Sequence, residues 1–123
     1  MSGGRRGERI FLNHVPSYDG SLTCYDAKAI VKDAMEVIVA GIVSPSYDIE
    51  KPFLLKSDVV GKVDDKVIRA LERAIRDNTN EERGVWAEYA MLAKEIRDFN
   101  LRHMGYIGEE VKPERWMFRG VEP

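Results

Sequence analysis

The residues most open to catalytic chemistry sit close together near the start of the chain: His14, Tyr18, Asp19, Cys24 and Asp26. All lie in or beside one predicted loop. A thiolate is stabilised at a helix N-terminus, and Cys24 stands next to a predicted one. His14 could act as its base if the loop folded back. The plainer reading competes with this. A cysteine in the first turn of a buried helix more often fills space as a small apolar group. A histidine beside a turn more often serves as a surface hydrogen-bonding group. The plainer reading carries more weight, so no catalytic residue and no enzymatic activity are expected.

The second histidine, His103, falls at the end of a predicted long helix, where the helix dipole favours its protonated form. Metal chemistry has little to draw on. No His-Glu-x-x-His, Cys-x-x-Cys or Glu-x-x-His pattern occurs, and no Gly-rich phosphate loop. One cysteine and two distant histidines would need carboxylates to complete a four-ligand zinc site. Neither metal nor cofactor is expected.

Charge narrows the partners. With 19 basic and 21 acidic side chains the net charge is −2, which argues against a dedicated binder of nucleic acid, whose affinity comes mainly from phosphate neutralisation. Arg69, Arg73 and Arg76 form a basic ridge on one predicted helix, but Asp65, Glu72 and Asp77 dilute it. A regulator that binds nucleic acid through that ridge is the third reading of function. A single thiol forms no internal disulfide, and the start, MSGGRRGER, lacks the apolar stretch of a signal peptide. No run approaches the roughly 20 apolar residues of a membrane span. The expected location is cytoplasmic, or a virion if the source is viral.

The elements that would position these groups centre on Asp26 to Val43. Ala27, Ile30, Val31, Ala34, Met35, Val37, Ile38, Ile42 and Val43 cover most of its circumference, while Lys28, Lys32, Asp33 and Glu36 share a narrow stripe. A helix of that kind belongs in the middle of a bundle. Thr23 with Asp26 three residues on has the form of a capping box. Ser57 and Asp58 offer a helix start whose first turn Gly61 weakens, and the firm part of this second helix is expected from Val63 to Asp77, with intrahelical pairs Asp65–Arg69 and Glu72–Arg76. A third runs from Thr79–Glu82, another capping-box pattern, to about Met104 with Gly105 as terminator. Val85, Tyr89, Leu92, Ile96, Phe99 and His103 repeat along it at coiled-coil spacing, broadened by Trp86, Ala90 and Ala93.

The expected fold is therefore mainly α: a three-helix bundle, made of a central buried helix plus an αα-hairpin, with extended N- and C-terminal arms. Residues 1–9 form a basic arm, 10–105 the helical domain and 106–123 an extended tail. Ile10 to Val15 reads as a short extended segment, and Ile49 to Lys56 as an extended connector pinned by Phe53, Leu54 and Leu55. The tetrad Pro-Ser-Tyr-Asp occurs at 16–19 and again at 45–48, which turn composition explains without a shared role for Tyr18 and Tyr47.

Function follows from surplus. The long-helix seam, the connector and the Trp116-Met117-Phe118 tail offer more apolar surface than three helices easily hide. On a small chain such surplus points to oligomerisation or a protein partner. The Trp116–Phe118 cluster either folds back onto its own bundle or docks on another chain; in the docking reading the anchors are Phe11, Phe53, Trp116, Met117 and Phe118, with Arg5 and Arg6 meeting acidic surface. The leading expectation is a non-enzymatic subunit that self-assembles or docks into a larger assembly. A component of a viral head or tail would suit the arms, by analogy with general architecture. A small-ligand protein using the His14–Cys24 loop is the alternative.

Overall fold

A computed structural model describes residues 22–43, 50–78, 81–104 and 106–121. Expectations for Arg5, Arg6, Phe11, His14, Tyr18, Asp19, Tyr47, Thr79 and Gly105 lie outside these residues. Four helices lead the order: α1 (Cys24–Ile42), α2 (Asp58–Gly61), α3 (Asp65–Asp77) and α4 (Glu82–Arg102). Strands β1 (Phe53–Leu55) and β2 (Glu109–Val111) follow α1 and α4, and a 3₁₀ helix spans Arg115–Val121. The fold is mainly α, as the sequence periodicity implied.

The start of α1 is fixed by the expected capping box. The Thr23 hydroxyl accepts from the Asp26 N–H at 3.1 Å, and the Asp26 carboxylate accepts from the Thr23 N–H at 3.4 Å. Its buried face carries Ala27, Val31, Ala34, Ile38 and Ile42. Against this pack α2, α3 and, through fewer contacts, α4. The alanines on α1, with Ala70 and Ala74 on α3, allow the helix axes to approach closely. At the bottom of this core lie Phe99, Ile38, Leu71 and Ile96, all essentially inaccessible.

Helix formation before α3 differs from expectation. The polypeptide makes one short turn, α2, capped by Ser57, and then restarts with Asp64 as N-cap accepting from the Lys66 and Val67 N–H groups. Gly61 ends the first helix rather than weakening a longer one. Asn100 of α4 braces this break by donating to the Val60 and Val63 carbonyls at 2.8 and 3.2 Å. A side chain here at position 61 would meet the Tyr106 hydroxyl, 2.5 Å from where its Cβ would stand.

The face expected of α4 is buried except along one edge. Trp86, Ala90, Leu92, Ala93, Ile96 and Phe99 are buried. Val85 is 46% exposed and Tyr89 only half-buried. Packing against α3 is the larger contact of α4, and it selects the Trp86–Ala90–Ala93 stripe. At the helix start, Glu81 occupies the N-cap position without a side-chain cap bond.

The C-terminal segment, divided off in sequence as an extended tail but open to folding back or to docking on another chain, folds back and closes the domain. Strand β2 pairs antiparallel with β1 in the register Phe53↔Val111, Leu54↔Glu110, Leu55↔Glu109. Gly108, at φ +80°, turns the chain into that strand, and its N–H donates to the Leu55 carbonyl at 2.6 Å. The 3₁₀ helix then lies on α1. Leu55, Val111 and Met117 complete the core beneath the two arms of this closure. Among the described residues no helix is long and apolar enough to cross a membrane.

Candidate interaction surface

Helix α1 buries one apolar face in the bundle and turns a mixed apolar and charged face outward. On the side opposite the core, Tyr25, Ala29, Lys32, Glu36, Val39 and Val43 recur at four- and three-residue steps, the spacing of a helix seam. Tyr25 is 60% and Val43 50% exposed, while Ala29 and Val39 are half-buried. Lys32, Met35, Glu36, Val39 and Ala40 line an open concavity of about 360 Å³ on this face. Sequence reasoning saw the charges here as a solvated stripe, and so missed the seam they interrupt.

The same surface runs on into a groove between α1 and α4. Lys32 and Met35 form one wall, and Glu88, Tyr89 and Leu92 the other, with Arg119 at the rim. Leu92 and Arg119 then continue into a wider depression of about 590 Å³ with Met91, Glu95, Arg115 and Trp116. The walls are apolar at the floor and carry both signs of charge at the edge. Arg119 is held there by Glu88 at 2.9 Å. At the far end, the Lys28 ammonium stands 5.7 Å from the Trp86 ring centroid and 5.4 Å from that of Tyr89. The Tyr25 ring meets Trp86 edge-on at 5.5 Å.

The anchors expected from sequence are distributed differently. Met117 is fully buried in the chain's own core, so the expectation that it anchors a partner is corrected: no partner could reach it without opening the fold. Trp116 is half-buried, packed edge-on against Phe99 at 6.0 Å, with its indole N–H donating to Glu114 at 2.9 Å. Glu114 also accepts from Arg102 at 2.7 Å, which ties the end of α4 to the closing segment. Phe118 packs partly exposed against the core. The Phe53 ring lies over Gly41 of α1, where an added Cβ would stand 2.6 Å from it. Trp116 alone of these contributes to the groove.

The chemistry-bearing residues resolve toward structure. Cys24 lines a small cleft with Leu22, Thr23, Arg73 and Asp77. Burial pushes its thiol up, against the lowering influence of nearby backbone N–H groups and the Arg73 guanidinium. A thiol shifted that way is a poorer nucleophile near neutral pH. Arg73 itself is engaged in a 2.9 Å hydrogen bond to the Leu22 carbonyl. His103 places Nδ1 2.6 Å from a Glu109 carboxylate oxygen and tilts its ring on Phe99, fastening α4 to β2. Among the described residues no cluster of three or more His, Cys, Asp or Glu could hold a metal ion.

Charges predicted to pair along α3 reach across to α4 instead. Asp65 accepts from Arg97 at 2.8 Å, and Glu72 meets Lys94 at 3.1 Å. Hydrogen bonds to Asp65 and then Asp98 hold the Arg97 guanidinium still more firmly protonated. These exposed pairs align the hairpin and add little stability each. No protein-family model, curated protein or solved structure matches this chain.

Proposed function

We propose that this chain is a non-enzymatic interaction subunit that self-assembles or docks into a larger protein assembly through the outer face of α1 and the adjoining groove. One observation carries the reading: outside the face that the domain buries, with its C-terminal segment already folded back, α1 keeps apolar groups exposed around Lys32 and Glu36. Exposed Tyr25 and Val43, and half-buried Met35 and Val39, lie along the uncovered side. Helix faces of this composition gain by losing contact with water, at about 25 cal/mol per Å² of apolar area. The floor of the groove, Met35, Tyr89, Leu92 and Trp116, extends the same surface. Aromatic and methionine side chains of this kind are enriched where proteins meet.

The raised Cys24 thiol weakens the enzymatic alternative, and the arginine ridge is partly committed to internal contacts. The test is the mass of the purified protein by size-exclusion chromatography with light scattering across a wide concentration range. A discrete multimer is the expected result. A monomer at every concentration, with no protein retained on the immobilised chain, would remove the proposal.

A further inference from the structure

The outer face of α1 carries a charge pattern that specifies its own partner. Resting on the assembly reading above, we infer that α1 packs antiparallel against α1 of a second copy, around a two-fold axis at the level of Ala34. In that register Lys32 of each copy stands opposite Glu36 of the other. Tyr25 stands opposite Val43, and Ala29 opposite Val39. Met35 meets its own counterpart beside the axis.

Three observations support this arrangement. First, the axis falls one residue from the midpoint of the helix, Cys24–Ile42, so the two helices overlap over nearly their whole length. Second, the two most exposed apolar groups of the face, Tyr25 at 60% and Val43 at 50%, sit at opposite ends and cover each other. Third, Lys32 and Glu36 make no ion pair with any described residue. Their order along the helix, cation before anion at four residues, is the weaker one for pairing within α1. An isologous two-fold contact makes one cation and one anion on a face complementary to themselves, twice over. A partner of single-signed charge would leave one of the two opposed by its like.

The experiment reverses the charges. Glu36→Lys places like charges opposite at two symmetric points, and should weaken the dimer by about tenfold or more in sedimentation or light scattering. The double variant Lys32→Glu, Glu36→Lys restores opposite pairs and should recover association. Both positions are exposed, so far-UV circular dichroism should be unchanged. A Cys24→Ala chain carrying Tyr25→Cys and Val43→Cys should form a covalent dimer on mild oxidation. Those two positions are about 27 Å apart within one helix and cannot bridge internally. A native multimer that ignores the charge reversal and fails to cross-link would overturn this register while leaving the assembly reading standing. A native chain that is monomeric throughout would overturn self-pairing itself.

Discussion

Met117 is the residue on which a closed and an open C-terminal segment differ most. Replacing it with alanine removes Cγ, Sδ and Cε from a site with no solvent access. At about 0.8 kcal/mol per methylene-sized group the transfer loss is about 2 kcal/mol. A cavity left partly unfilled adds about 1 kcal/mol or more, at about 24 cal/mol per Å³. The Met117 sulfur also accepts from the Glu114 N–H at 3.4 Å, a weak contact that goes with it. The short 3₁₀ helix can settle partly into the space, which holds the total near about 3 kcal/mol. That is a large share of the stability of a domain this size. Urea denaturation followed by circular dichroism, fitted with a shared m-value, measures it directly. If Met117→Ala left the unfolding midpoint unchanged and weakened only assembly, the segment would be a docking arm and the closed fold would be refuted.

Two further substitutions test the supports of that closure. Gly41→Ala sets a Cβ 2.6 Å from the Phe53 ring and should cost about 1–3 kcal/mol, read as a lowered urea midpoint; an unchanged midpoint would mean that Phe53 does not rest on α1. Tyr106 buries a hydroxyl that has no hydrogen-bond partner, and burial, then the Asp58 charge, pushes its ionisation up to about 12. A group whose folded pKa is raised supports the fold fully below its unfolded value, near 10, and that support fades as pH rises toward 12. Tyr106→Phe should therefore keep or slightly raise stability at pH 7 and flatten the loss between about pH 10 and 12; a steep loss at pH 7 would show that the hydroxyl is bonded.

The parts of the fold that declared themselves in sequence are those governed by local rules. Thr23 and Asp26 fixed the start of α1 because a capping box needs only residues three apart. The polar break at 78–80 separated α3 from α4 for a similar reason. Which edge of the α4 face stays wet was not legible: Val85 and Trp86 are both apolar, and only the neighbouring helix leaves the first outside and buries the second. Nor was the β1–β2 pair. Three-residue strands 53 residues apart in the chain leave no periodic trace, and Pro113 and Gly108 read as breakers when one of them is the turn that makes pairing possible. Met117 looked like an anchor for the same reason, since a clustered apolar tail gives no sign of whose core it enters.

That closure changes what is left for a partner. Had the tail stayed open, Trp116, Met117 and Phe118 would have been the natural anchors and the flank of α1 beneath them would have been bare. With the 3₁₀ helix seated on one flank of α1, the apolar excess moves to the other flank, where Lys32 and Glu36 break the seam. Without an ion pair to any described residue and set among Met35, Val39 and Val43, they lower the tendency of this face to stick without preference. Burying either without its opposite would carry a desolvation penalty that the apolar contacts around it would have to exceed. In the pairing proposed above, specificity and restraint would come from the same two side chains, which would let this surface accept few geometries.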